Sequence, residues 1–248
     1  MSQFYEQLAT LTPEQRALLE KKLAAKGLEK GLQMPGKGTS IPKRPEHQPI
    51  PLSFAQQRLW FVQQLDPQNT AYNVASVLEL EGELNVPALE KSLNALVERH
   101  ETFRTHFELQ TNKQGEQQPV QIIDVPKAVR LDVEDLSEDI YTESNSSVAE
   151  NRIQSLTQEP FDLSQPLLRT ALLKVGENRY LLVLMTHHII SDRWSVMIFL
   201  REMTLLYRAF SQGLASPLEP LAVQYADWAV WQRQQIQGEK LEKQIRYW

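Results

Sequence analysis

The chain has 248 residues, 42% of them hydrophobic, and a formal net charge of −5, which is enough for one large domain or two small ones, each with a real core. An acidic balance without a basic stripe argues against a nucleic-acid partner. The absence of cysteine excludes disulfides, thiolate metal sites and a cysteine nucleophile. No apolar run reaches the length of a membrane span, and the start of the chain lacks the basic-then-apolar order of a secretory signal, so a cytoplasmic protein without membrane contact is expected.

Residues 12–30 read as a helix, with Thr12 as N-cap, Pro13 at the first helical position and Gln15 placed to close a capping box. Leu18, Leu19, Leu23 and Ala24 form a modest apolar stripe, and Gly27 is an end signal. The lysines of this stretch alternate with glutamates and read as a solvated face. Residues 31–51 hold five prolines and three glycines, a linker composition. This makes residues 1–30 a helical linker or docking segment and places the folded body at residues 52–248.

From there helical and strand patterns mix. Ser53 to Leu65 reads as a helix with Ser53 as cap and Gln56 three residues on. Asn73 to Leu80 alternates like a strand, and Pro87 to His100 is helical with Leu89, Leu93, Leu96 and Val97 on one face. Phe103 to Leu109 and Val120 to Val125 read as short strands, and Asp139 to Pro160 as a polar loop followed by a helix. Leu167 to Val175 and Arg179 to His187 form a hairpin through Gly176-Glu177-Asn178. A long amphipathic helix from Trp194 to Gln212 is closed by Gly213, and Val223 to Gln237 makes the last helix. The class is α/β or α+β.

Two adjacent histidines, His187 and His188, end the second hairpin strand, and alternation sends them to opposite faces. His187 shares its side with Leu181, Val183 and Met185, and His188 shares the other with Leu184 and Thr186. Asp192 stands at the entry to the long helix, where unpaired amides and the helix dipole favour a carboxylate. Two histidines and an aspartate suit zinc in type, but adjacent strand residues diverge, so no metal is expected. Ser191 and Ser195 lie near enough for a serine triad, but no Gly-x-Ser-x-Gly elbow presents either one. Trp60, Phe61, Trp228 and Trp231 read most simply as core aromatics.

Four segments, in order, resemble the core motifs of condensation domains of nonribosomal peptide synthetases. They are Ser53-Phe-Ala-Gln-Gln-Arg58-Leu-Trp60-Phe, Arg99-His100-Glu101-Thr-Phe-Arg104-Thr105-His-Phe, Met185-Thr-His187-His188-Ile-Ile-Ser-Asp192-Arg193-Trp194-Ser195, and Gln224-Tyr225-Ala-Asp227-Trp228-Ala-Val-Trp231. The third carries the HHxxxD signature. The resemblance covers Ile50 to Trp248, and the first motif looks closest to domains that join two L-residues. It implies a chloramphenicol acetyltransferase-like lobe, a mixed or antiparallel sheet flanked by helices, with the C-terminal lobe of the acyltransferase fold missing and the isolated half inactive.

The implied reaction is amide bond formation in secondary-metabolite synthesis. An acceptor amine on a downstream carrier protein attacks the donor thioester on an upstream one, both substrates riding on phosphopantetheine arms and no cofactor being bound directly. By resemblance His188 is catalytic, either as general base or by orienting the amine. His187 supports it, and Asp192 pairs with Arg58, a pairing whose loss would disorder the histidine loop. Trp194 and Ser195 lie near the donor path, and Arg193, where the family keeps glycine, is expected to crowd it. Arg99, His100, Arg104, Tyr225 and Asp227 are motif residues with fold-supporting roles. A chain starting at Met1 implies a donor arriving from another protein, with residues 1–30 as its docking segment or a plain linker helix. Two alternatives stay open: a non-catalytic module that binds carrier proteins, and an epimerisation domain of the same fold.

Overall fold

The computed structural model of the chain describes residues 41–137 and 145–247; the expected helix over 12–30 and the first part of the expected linker lie outside them. The elements run β1 (Ile50–Pro51), α1 (Phe54–Leu65), β2 (Asn73–Glu81), α2 (Val86–Arg99), a 3₁₀ turn (Glu101–Arg104), β3 (Thr105–Thr111), β4 (Gln117–Ile123) and β5 (Val133–Asp135). Then come α3 (Asn145–Thr157), β6 (Leu168–Gly176), β7 (Arg179–His187), α4 (Arg193–Ser211), α5 (Tyr225–Gln235) and α6 (Glu239–Tyr247).

Local chemistry explains most of these boundaries. The Ser53 side chain accepts from the Gln56 amide while the Gln56 side chain accepts from the Ser53 amide, a closed capping box that starts α1. Asn85 caps α2 by accepting from the Ala88 amide, with Pro87 in the first turn. The long helix α4 stops at Gly213, which lies at φ +72°. There the Leu214 amide reaches the Ala209 carbonyl and the Gly213 amide the Phe210 carbonyl, the paired bonds of a Schellman ending.

The main sheet has the order β2-β7-β6-β5. β2 and β6 run antiparallel to β7, while β5 is parallel to β6. The expected hairpin is β6–β7, with a register irregularity between Lys174 and Gly176 just before the turn. A smaller antiparallel sheet has the order β1-β4-β3. Alternation along β7 divides the core. Val183 and Met185 face a cluster holding Leu59 of α1, Phe107 of β3 and Phe161. Leu182 and Leu184 face a second cluster built from Leu89, Leu93 and Leu96 of α2 and Phe199, Met203 and Leu206 of α4. The sheet is therefore mixed and covered by helices, the α/β class its sequence pattern indicates.

Three expectations change. The segment expected to be linker up to residue 51 joins the fold at its end: Ile50 and Pro51 pair with Gln121 and Val120 of β4. Arg44 is tied to Asp227 and Glu101 by ion pairs at 2.9 and 2.8 Å. Proline lacks a donor, yet a two-residue edge strand needs little from it, and the Pro51 carbonyl takes the Gln121 side chain instead. The expected helix Val223 to Gln237 is α5, Tyr225–Gln235, but it is not the last: α6 follows after Gly238, whose φ of +57° takes the chain out of helical geometry between the two. Phe61, expected in the core, is 58% exposed, because α1 turns its other face, with Gln56, Leu59 and Gln63, inward.

Candidate active site

The two histidines separate as strand alternation requires. His187 is the last residue of β7 and is fully buried, on the Met185 side of the sheet, with its ring near Tyr72 and edge-on to Phe161. Its Nδ1 accepts from the Ile189 amide at 3.1 Å, so in the neutral ring the hydrogen sits on Nε2. Burial first, and the neighbouring His188 second, push its pKa down to about 4. This histidine is a neutral structural group that shapes the turn after the strand.

His188 is exposed and lines a cleft of about 500 Å³. Its amide continues the β2 side of the sheet by donating to the Tyr72 carbonyl at 2.8 Å. Its Nδ1 lies 2.6 Å from the Ser191 carbonyl oxygen. A carbonyl only accepts, so Nδ1 donates, and Nε2 of the neutral imidazole keeps its lone pair. The turn is drawn tight by the Ile190 amide on the His187 carbonyl and by a hydroxyl contact between Thr186 and Ser191. The result is an imidazole of fixed tautomer on a short turn held by several hydrogen bonds.

The cleft walls come from elements distant in sequence. Arg58 and Leu59 belong to α1, His100 precedes the 3₁₀ turn and Phe103 lies within it, Ser195 and Glu202 belong to α4, and Tyr225 opens α5. Of the residues singled out by sequence, Arg58, His100, His188, Ser191, Asp192, Ser195 and Tyr225 line this cleft. His187, Arg99, Arg104, Asp227, Arg193 and Trp194 are not among its lining residues. Asp227 is nearly buried and accepts from Arg44 and from the Gln224 amide, and Arg104 ties the Asp124 carbonyl to the 3₁₀ turn. The Tyr225 hydroxyl meets Ser53 Oγ at 3.0 Å, linking the starts of α5 and α1, and burial raises its phenol pKa.

Asp192 does not have the partner expected for it. Among the described residues no hydrogen bond or ion pair joins it to Arg58, although both line the cleft. Its carboxylate caps α4 instead, accepting from the Ser195 amide at 2.7 Å and the Ser195 hydroxyl at 2.6 Å. These bonds, the hydroxyl first, hold its pKa below the usual carboxylate range. The open amides at the start of a nineteen-residue helix lie within hydrogen-bond reach of this carboxylate and favour a negative charge there. Arg193 opens α4 with ordinary backbone angles; among the described residues the only non-glycine at positive φ is His47. The backbone freedom of glycine is therefore not used at this position, and the Arg193 side chain is exposed.

One cleft group was missed by sequence reasoning. Glu202 accepts from Arg99 Nε at 3.1 Å and sits 2.7 Å from His100 Nε2, fastening α4 to the end of α2. Its signal was present: it is the sole carboxylate in α4, and it falls on the same face as Phe199, Met203 and Leu206. Among the described residues no group of histidine and carboxylate side chains is placed to hold a metal ion.

A family model described as "Condensation domain" matches residues 46–248. One of the linear gramicidin synthase proteins of Brevibacillus parabrevis is 43% identical over 223 residues, covering 88% of this chain and 3% of that protein. Phosphinothricin tripeptide synthetase PhsC of Streptomyces viridochromogenes is 36% identical over 252 residues, covering 100% of this chain and 22% of that protein. Among solved structures, the first condensation domain of the calcium-dependent antibiotic synthetase, in complex with a substrate analogue, superposes with a TM-score of 0.66 at 26% identity, covering 79% of this chain and 45% of that one. The X-domain in complex with OxyB from teicoplanin biosynthesis gives a TM-score of 0.68 at 28% identity, covering 82% of this chain and 42% of the other. The chain thus spans a small part of these curated relatives and somewhat less than half of these solved chains.

Proposed function

The chain belongs to the condensation-domain family, and from that premise we propose that it is the histidine-bearing lobe of a domain that forms amide bonds in nonribosomal peptide synthesis. The substrates are a donor acyl thioester and an acceptor aminoacyl thioester, each carried on the phosphopantetheine arm of a carrier protein, upstream and downstream respectively. A second lobe, corresponding to the unmatched half of the solved condensation domain, completes the cleft, and these 248 residues alone do not turn over.

The observation that carries this reading is the His188 imidazole on the cleft wall with Nδ1 committed to the Ser191 carbonyl. Nε2 is then the proton acceptor. The acceptor amine attacks the thioester carbonyl carbon, a C–N bond forms, and Nε2 takes the proton the nitrogen sheds. The C–S bond breaks as the tetrahedral centre collapses, and the departing sulfur recovers that proton. Imidazole as a side-chain type changes charge near neutral pH, which suits both halves of this transfer, and much of the rate comes from holding two tethered reactants together. His187, Asp192 and Arg99 support the fold around the cleft. Arg58 is proposed to meet a substrate or the second lobe rather than Asp192.

The test is peptide formation between two loaded carrier proteins by a complete domain containing this chain. His188→Ala is expected to lower the rate by about 100-fold or more, and an unchanged rate would refute the base role. A second reading, a recruiting module without turnover, draws on the likeness to the X-domain solved with OxyB. Carrier-protein binding without any product from a complete wild-type domain would favour it.

A further inference from the structure

We infer that Gln56 is a positioning residue for His188, acting through the backbone of the turn that carries the imidazole. Its side chain is 1% exposed and lies in α1, far from the histidines in sequence. Both hydrogens and the oxygen of the amide are engaged. Oε1 accepts from the Ser53 amide at 2.9 Å. One Nε2 hydrogen goes to Gln121 Oε1 at 3.2 Å and the other to the Ile189 carbonyl at 3.3 Å.

Ile189 directly follows His188, and it is held at both ends: its amide by His187 Nδ1 and its carbonyl by Gln56. The His188 amide is held by Tyr72. The backbone from His188 to Ile189 thus has fixed partners on β7, on the loop before β2 and on α1. Ile189 is 3% exposed, so its carbonyl has no ready access to solvent if Gln56 withdraws, and a buried carbonyl must find a new partner. The Ile189 carbonyl and the Ile190 amide share one peptide plane, held by Gln56 on one side and by the His187 carbonyl on the other, so losing Gln56 leaves that plane with a single partner. Reorientation of that plane is passed on through Ile190 to Ser191, whose carbonyl holds His188 Nδ1. Gln56 therefore acts on the tautomer of His188 without touching substrate.

The geometry stands apart from the reaction; only its catalytic consequence rests on the reading of His188 given above. The test accordingly needs no carrier protein and no product, so failure of one leaves the other intact. Imidazole nitrogens of the 248-residue chain are recorded by long-range ¹H–¹⁵N correlation. The chain has five histidines, and His188 is assigned by its loss in His188→Ala. The wild type is expected to show one tautomer, protonated at Nδ1. In Gln56→Met, which keeps the length of the side chain, the two His188 nitrogens are expected to move toward a common average as tautomers mix. Gln56→Glu keeps the acceptor for the Ser53 amide and removes both donations at neutral pH, and it should give the same change. Gln121→Met leaves the Ile189 bond in place and should leave His188 unmoved. An unchanged His188 signal in either folded Gln56 variant overturns the proposal. So does an equal shift in Gln121→Met, which would mark a general packing effect.

Discussion

Individual residues here owe their chemistry to where their unshared hydrogen-bonding positions fall. His187 and His188 are identical in type and adjacent, yet burial holds the first near a pKa of about 4 while the second faces a cleft. The depressed His187 value makes stability depend on pH in a defined direction. The unfolded chain takes up a proton near pH 6.5 and the folded chain resists it until about 4, so the folded state binds fewer protons in that window. Stability is complete above pH 6.5 and is lost as pH falls toward 4. This residue should cost about 2 kcal/mol at pH 5 relative to pH 8, measurable by urea unfolding at the two pH values. His187→Asn, whose side-chain oxygen can still accept from Ile189, should shrink that difference. At Asp192 the observed role predicts a smaller loss than a buried ion pair would. Asp192→Ala removes a helix cap and should cost about 1 kcal/mol, with Asp192→Ser restoring most of it; a loss of about 3–5 kcal/mol in chemical denaturation would instead indicate the pairing with Arg58.

Secondary elements end where side chains satisfy their open backbone groups, and these ends position the cleft. The capping box at Ser53 and Gln56 sets the first turn of α1, and the same two residues reach across to Tyr225 and Ile189. Cap and cleft are thus one hydrogen-bonded unit, so Ser53→Ala should lower stability by about 1 kcal/mol and also loosen the start of α5; an unaltered Tyr225 ring environment by NMR or fluorescence would contradict this. Gly213 ends α4 at a positive φ with open space around it. Gly213→Ala should therefore cost about 1 kcal/mol through backbone strain alone, read as a lower midpoint in thermal unfolding with the cleft unchanged. The caps and turns of α1, α2, α4 and the β6–β7 hairpin were legible because they use short-range patterns. The strand β5 was not, because three residues show no usable alternation, and its pairing with β6 is parallel and distant in sequence. The helix α6 was not legible either: it is nine residues long and follows directly on the glycine that ends the α5 segment.

Across the whole molecule, the cleft is assembled by ion pairs and packing that no local pattern contains. Arg44, from a proline-rich stretch, joins Asp227 of α5 to Glu101 of the 3₁₀ turn, which brings that stretch into the fold beside the cleft walls. Arg44→Met takes the shared cation from two carboxylates, one of them nearly buried and left with backbone amides as its donors, and should cost about 3 kcal/mol in urea unfolding; loss of less than about 1 kcal/mol would reduce the pair to a surface contact. The sequence by itself determined the order of most elements, the two-sided placement of His187 and His188, and the four motifs of the family, because these depend on periodicity, capping and residue identity at short range. Only the tertiary structure decided which motif residues meet: that Asp192 caps its own helix instead of pairing with Arg58, that Glu202 gathers Arg99 and His100, and that Gln56 reaches the turn after His188. Those choices turn on distances between segments far apart along the chain. There, competition for a few donors and acceptors is settled by packing, and spacing in sequence carries no record of the outcome.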